Sequence, residues 1–214
     1  MNTHVVMGWL LGKSTNIKDL FRAQLLANVL LDNSGSPLLK ILETTELGAS
    51  PSPICGLDDG NKEMSFILGL EGCKEQDSLK VENLILNSLS ELVKNGIPQE
   101  QVEAALHQLE LNQREISGDS YPYGLQLLMS GLSIALHNGN PTEVLNLDPI
   151  LIELRDAAND KNFLPELIKE LLLENQHRVT LTLRPDQELA RKKVEAEESS
   201  LNRIKESLSD HQVN

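Results

Sequence analysis

The 214-residue sequence predicts an α+β fold in which an antiparallel sheet is covered on one side by helices. Short runs rich in β-branched or alternating apolar residues occur at residues 3–12, 63–73 and 177–184. Long segments between them carry apolar residues at helical spacing. The elements follow one another as strand, two helices, hairpin, several helices, strand and helix, an order typical of α+β domains.

The first strand, residues 3–12, is nearly continuously apolar, which predicts that both of its faces are covered. Residues 54–73 read as a hairpin around the turn 58–61, Asp-Asp-Gly-Asn. In its second arm the apolar residues alternate with others, so they are expected to share one face of the sheet. These residues are Met64, Phe66, Leu68 and Leu70. Residues 177–184 form a clean alternating strand.

Capping and breaking residues divide the helical segments. Asn16 is an N-cap candidate, Pro37 suits a first helical position, and Asn95-Gly96 is a C-cap signal. The predicted helices cover residues 17–31, 38–47, 77–94, 99–117, 125–137, 150–158, 166–174 and 187–208. The apolar stripe of helix 77–94 is predicted to comprise Leu79, Leu84, Ile85, Leu86, Leu89, Leu92 and Val93.

The composition excludes several functions. The formal net charge of −13 and the absence of a basic patch disfavour nucleic acid as a partner. The longest apolar stretches, such as residues 5–11, are far shorter than the roughly 20 residues that a membrane span needs, and no basic region precedes Val5 as in a secretory signal. The two cysteines, Cys55 and Cys73, form either free thiols or one bridge, and a reducing compartment fits them better.

One helical segment approaches a zinc motif. Zinc peptidases of the inverted type carry His-x-x-Glu-His, but residues 107–111 read His-Gln-Leu-Glu-Leu. Because Leu111 cannot ligate zinc, we predict no metal ligands and no catalytic residues here. The expected alternative is a polar ridge with the i,i+4 pairs Glu103–His107 and Glu110–Arg114.

A family resemblance rests on one long block and three shorter ones. The block PQEQVEAALHQLELNQREISGDSYPYGL, residues 98–125, resembles the presequence-protease group of metallopeptidases, relatives of pitrilysin and insulysin. Support comes from VVMGWLLG at residues 5–12, SGSPL at 34–38 and NQHRVTLTLRP at 175–185. The blocks occur in the right order and span nearly the whole chain.

The resemblance implies a place within a larger enzyme. In that family four related α+β domains, metallopeptidase-like α/β rolls, close around a chamber, and the zinc motif lies in the first. Residues 1–185 resemble the second domain, and residues 186–214 resemble the start of the helical hinge. The helix matching the catalytic one by order is 17–31, which contains no His. Zinc is therefore expected in the parent enzyme, with no cofactor in this chain.

The resemblance also implies partners and a binding loop. The partners would be the remaining domains of the same protease and peptide substrates. The loop 33–38 would face the chamber, which makes Asn33, Gly35 and Ser36 the candidate substrate-binding residues. The compartment would be the cytoplasm of a bacterium or the organellar matrix of a eukaryote.

Three hypotheses follow. The first is a non-catalytic domain of a peptide-degrading zinc metallopeptidase, which walls the chamber and offers backbone for β-addition of extended peptides. The second is a free-standing inactive peptidase-like subunit with a structural or adaptor role. The third is an intact hydrolase using His107 and Glu110, which would require bound metal. The first is our prediction, and this chain alone is expected to be inactive.

Overall fold

The computed structural model describes residues 3–114 and 122–208. Within these ranges, the residues up to Leu183 form one compact unit and those from Arg184 onward form a second. The predicted α+β class with an antiparallel sheet is confirmed in the first unit.

In the described part of the chain the sheet has five strands, all paired antiparallel. The central strand β1 lies between β4 and β5, and the two short strands β2 and β3 both pair with the other edge of β4. Their bounds are β1 His4–Lys13, β2 Ser50–Pro51, β3 Gly56–Asp58, β4 Glu63–Glu71 and β5 Arg178–Leu183.

Eight α-helices occur in the described part of the chain. They are α1 Ile17–Leu31, α2 Pro37–Thr44, α3 Ser78–Asn95, α4 Gln99–Arg114, α5 Tyr123–Leu136, α6 Asp148–Ala158, α7 Phe163–Ile168 and α8 Leu189–Ser207. A π-helical turn, Lys169–Leu173, extends α7. Two predictions were wrong at one end, because α2 stops three residues earlier than expected and α7 begins three residues earlier. The predicted end of helix 99–117 falls outside the described residues.

One face of the sheet packs on the helices and forms the core. Met64, Phe66, Leu68 and Leu70 are all buried, so the predicted alternation along β4 is confirmed. Opposite them β1 contributes Val5, Met7 and Trp9, also buried. The Trp9 indole nitrogen donates a hydrogen bond of 2.8 Å to the carbonyl of Leu172, which ties β1 to the π turn after α7.

Helix α1 lies in the middle of the helical layer. Its N-cap is Asn16, as predicted, and the side chain accepts a hydrogen bond from the amide of Asp19. Leu25 and Leu30 are fully buried in the core. A charged or metal-ligating side chain at those two positions would have to displace the packing between helices and sheet.

Helix α3 corrects part of the predicted stripe. Leu79 is 72% exposed, whereas Val81, which lies outside the predicted stripe, is fully buried. The buried residues Val81, Ile85 and Leu89 follow a spacing of four, and Leu79 lies on the far side of the helix from them. The predicted C-cap is confirmed, since Gly96 has a φ of +75°, a conformation that favours glycine.

The other face of the sheet is only partly covered. On β1 Val6 is buried but Leu10 is exposed, so the expectation that both faces of this strand are covered was wrong at its C-terminal end. On β5 every second residue is about half exposed on this face: Val179, Leu181 and Leu183. We call these four exposed side chains, from Leu10 and the three β5 residues, the outer sheet patch.

The second unit contains α8, an exposed charged helix. Within it, Arg191 forms ion pairs with Glu188 and Glu195. Lys192 pairs with Asp186 at 2.8 Å, which lowers the pKa of that carboxyl. An exposed row of apolar residues runs along the helix: Leu189, Val194, Leu201 and Ile204.

Candidate functional site

The predicted substrate-binding loop joins α1 to α2 and is closed by its own side chains. The Asn33 Oδ1 atom accepts a hydrogen bond of 2.9 Å from the amide of Gly35. The Ser36 Oγ atom accepts one of 3.2 Å from the amide of Asn33. The structure therefore brings the three candidate residues together, in a turn held by Asx- and Ser-type hydrogen bonds.

The three residues differ in what they expose. Ser36 is buried and Pro37 follows it at the start of α2, so its hydroxyl serves the loop. Asn33 and Gly35 are exposed. The Gly35 carbonyl accepts a hydrogen bond of 3.4 Å from the Gln101 side chain of α4. A ligand at this loop would meet the side chain of Asn33 and the backbone of residues 33–35.

The helix that matches the catalytic one by order, α1, buries its apolar side in the core. Phe21, Leu25 and Leu26 of α1 are buried, and the helix contains no His. The polar residues at its surface have other partners. Arg22 pairs with Glu170 at 2.7 Å, and the Gln24 amide donates 2.9 Å to Asp59.

The segment that approaches a zinc motif does not form a site. His107 is exposed, whereas Glu110 is buried and faces the guanidinium of Arg155 on α6. Both side chains border one cavity of about 270 Å³, where Arg155 pairs with Glu110, and within the described residues no third side chain joins them in a metal-binding group. The predicted pair Glu110–Arg114 was wrong, because Arg114 instead reaches Asp148 at 2.8 Å. Two long-range ion pairs replace one local pair, and both join α4 to α6.

Sequence reasoning missed a polar cluster at one end of the sheet. The His4 Nδ1 atom lies 3.0 Å from the Ser52 hydroxyl, and its Nε2 atom lies 3.8 Å from the Glu71 carboxylate. The Ser50 hydroxyl donates a hydrogen bond of 2.9 Å to the same carboxylate. The order serine, histidine, carboxylate is that of a hydrolase triad, but Ser52 is only 2% exposed. No substrate carbonyl can reach its oxygen, so the cluster joins the strands.

Both cysteines are free thiols, which settles the alternative left open by the sequence. Burial raises the pKa of the Cys55 thiol, although hydrogen bonds with Gly69 and Ser52 oppose the shift. Its Sγ accepts from the Gly69 amide and donates to the Gly69 carbonyl, each at 3.2 Å. Burial raises the pKa of Cys73 as well. Neither thiol has the lowered pKa of a nucleophile.

The outer edge of β5 is the feature best suited to bind an extended chain. One edge of β5 pairs with β1 from His4 to Trp9, and within the described residues no strand pairs with the other edge. An exposed edge presents unpaired amides and carbonyls to another strand. The adjacent apolar side chains of Val179 and Leu181 offer contacts at alternate positions of such a strand.

Residues 3–114 and 122–208 lack two further kinds of feature. They contain no group of three or more His, Cys, Asp or Glu side chains able to hold a metal ion. They also contain no helix with the length and apolar character that a bilayer crossing requires.

Fold and site define an α+β domain with an open sheet. The chain belongs to the peptidase M16 inactive-domain family, whose model matches residues 1–109. This confirms the resemblance on which the sequence prediction rested.

Curated relatives resemble the chain over nearly its full length. A mitochondrial presequence protease from Xenopus laevis is 30% identical over 98% of this chain, which covers 20% of that relative. A chloroplastic and mitochondrial presequence protease from Arabidopsis thaliana is 30% identical over 97% of this chain, which covers 19% of it. The chain thus spans about a fifth of the length of these relatives.

Solved structures share the fold. The inactive peptidase domain of a proposed zinc protease from Bordetella parapertussis superposes with a TM-score of 0.63 at 17% identity, covering 87% of this chain and 94% of that one. The first half of the periplasmic protease PqqL from Escherichia coli gives a TM-score of 0.58 at 11% identity, covering 90% of this chain and 41% of that one.

Proposed function

We propose that the chain is a non-catalytic domain of a longer zinc metallopeptidase that degrades peptides. Residues 1–185 would form the domain, and residues 186–214 would begin a helical hinge. The match of residues 1–109 to the inactive-domain model carries this proposal. The curated relatives support it further, since about four fifths of their length lies outside the region that this chain matches.

The domain would contribute a wall of the substrate chamber. The outer sheet patch and the free edge of β5 would line that wall, and an extended peptide would add to the edge as a further strand. The loop carrying Asn33, Gly35 and Ser36 would also bind substrate. There Asn33 offers a side chain, Gly35 offers exposed backbone, and Ser36 holds the loop in shape.

The charge of the chain indicates the class of peptide. A net charge of −13 attracts cationic peptides over long range and repels anionic ones. Targeting presequences are basic, and the curated relatives are named as presequence proteases. We therefore propose basic peptides as substrates of the longer enzyme.

Zinc would be bound by another domain of the longer enzyme. The relative from Bordetella parapertussis is described as a proposed zinc protease, and its matching domain as inactive. The compartment would be the organellar matrix if the source is a eukaryote, consistent with the mitochondrial and chloroplastic relatives, and the cytoplasm if it is a bacterium. The alternative of a free-standing adaptor subunit is not favoured, because these relatives are enzymes of about five times this length.

Peptide hydrolysis tests the proposal. The purified chain is incubated with a basic peptide and added zinc, alone and together with the separately produced remainder of the longer protein. We expect no cleavage by the chain alone and cleavage by the mixture, abolished by a chelator. The matched control is His107→Ala, which should leave the mixture fully active. Cleavage by the chain alone, lost in that variant, would overturn the proposal.

A further inference from the structure

Most of the large apolar side chains of helix α5 are exposed and not packed against the rest of its unit. Between Tyr123 and Leu136 it contains no charged residue, and only Gly131 and Ile134 are buried. Besides Tyr123 at its first position, five large apolar side chains on it are exposed: Leu125, Leu128, Met129, Leu132 and Leu136. Single exposed apolar residues are common, but a contiguous row on one helix indicates an interaction surface.

The exposed residues share one side of the helix. At 3.6 residues per turn, the five fall within an arc of about 100°. Ile134 is buried on the opposite side, and Gly131 lies at the border of the arc, where it approaches Pro141 and Val144 of the following turn. Helix α5 is therefore apolar on both sides, which is typical of a helix packed between two bodies. We call the five exposed residues the α5 face.

A shallow groove borders the α5 face. It has a volume of about 440 Å³ and lies between Leu128 and Leu132 of the helix and Leu145 of the turn Pro141–Leu145. Leu145 is itself exposed, so the apolar surface continues beyond the helix. The groove would accept a side chain of an apolar partner.

The charge of the chain indicates which kind of partner can cover the α5 face. A second copy of the chain also carries −13, so two copies repel each other. An anionic membrane is disfavoured for the same reason, and α5 has none of the basic residues by which interfacial helices bind lipid headgroups. What remains is an uncharged apolar surface of the longer polypeptide, which is held at high effective concentration by the covalent link.

We propose that the α5 face, with the groove beside Leu145, is the permanent docking surface for another domain of the longer protein. This inference rests on the proposed function, because it takes its partner from the same polypeptide. It adds a location, since neither the fold nor the relatives indicate which surface of the domain makes the contact. A free surface of this kind would associate non-specifically, whereas a permanent contact shields it from water.

Hydrogen exchange compares the 214-residue chain with the complete product of its reading frame. We expect the backbone amides of α5 to exchange at least about tenfold more slowly in the complete protein, because docking removes their access to water. The exposed side of α6 around Ile152 serves as the internal reference and should exchange alike in both.

Matched variants test the same surface. The double substitution Leu128→Glu, Leu132→Glu should abolish the slowing of exchange, since each buried carboxylate weakens docking by at least about tenfold. Both side chains are exposed in this chain, so its own thermal unfolding should not change. Ile152→Glu alters an exposed apolar residue flanked by Glu153 and Arg155, and should affect neither measurement.

Four results would overturn the inference. They are equal exchange of α5 in both proteins, slowing that survives the double substitution, a reading frame that ends with this chain, and a homodimer through α5. Sedimentation of the chain with and without the substitutions detects the last. Peptidase activity of the complete protein is measured separately, so loss of the proposed function with retained protection of α5 would refute only the function.

Discussion

Replacing Trp9 with Phe tests the link between the sheet and the π turn. Trp9 is fully buried, and its indole nitrogen donates to the Leu172 carbonyl at 2.8 Å. The substitution leaves that buried carbonyl without this donor, at a cost of about 1–3 kcal/mol. The smaller ring loses about a further 1 kcal/mol of burial. We expect a total loss of about 2–4 kcal/mol in the free energy of unfolding.

Urea denaturation followed by circular dichroism measures this loss, since Trp9 is the only tryptophan and the variant has no indole fluorescence. In thermal unfolding, the same loss corresponds to a fall in Tm of roughly 4–16 °C for a unit of this size. The control is Phe66→Leu, which alters the ring packed 6.4 Å from Trp9 without touching a hydrogen bond. It should cost about 1–1.5 kcal/mol. If Trp9→Phe costs no more than this control, the hydrogen bond does not stabilise the fold.

Three further predictions concern other contacts. Gly69→Ala should prevent stable folding, because the added Cβ atom would lie 2.3 Å from the Val5 carbonyl oxygen. The control is Gly8→Ala, whose added Cβ atom meets nothing within 4 Å. Equal melting temperatures of the two variants would refute this prediction. Arg155→Met should lower the free energy of unfolding by about 1–3 kcal/mol, because it leaves the buried carboxylate of Glu110 unpaired. Adding Glu110→Gln to that variant should restore most of the lost stability, as measured by urea titration. Burial raises the pKa of the Cys55 thiol, so the folded state keeps that proton longer and the free energy of unfolding should fall as pH rises above about 8.5. Cys55→Ala should reduce this slope without removing it, because burial raises the pKa of Cys73 as well, and an unchanged slope would contradict the assignment.

The sequence predicted those elements whose signals are local. The bounds of α1 agree at both ends, because Asn16 caps it and its apolar period is strong. The face of β4 followed from strict alternation, and the end of α3 from Gly96. Local hydrogen-bonding and periodicity determine these features, so one sequence suffices to find them.

Features that depend on distant residues were missed. The partner of Glu110 is Arg155, 45 residues away, and i,i+4 spacing instead pointed to Arg114. The cluster of His4, Ser52 and Glu71 draws on three separate segments, so no spacing rule could detect it. The exposure of the outer sheet patch depends on what covers that face of the sheet, which the alternating pattern of β5 does not specify.

The candidate loop was predicted only through a family resemblance. Residues 33–36 do come together in a turn, but nothing in their chemistry alone distinguishes a substrate-binding loop from a helix connection. By contrast, the prediction that residues 107–111 hold no zinc pair rests on one residue, Leu111, because ligand identity at i,i+4 is a local property.

The zinc content of the purified chain tests the central claim most directly. After dialysis against zinc and then against metal-free buffer, elemental analysis should find far less than one zinc per chain, while the complete protein retains stoichiometric zinc. One tightly held zinc per 214-residue chain, released on His107→Ala, would contradict the account of a domain that shapes the chamber and leaves cleavage to another part of the enzyme.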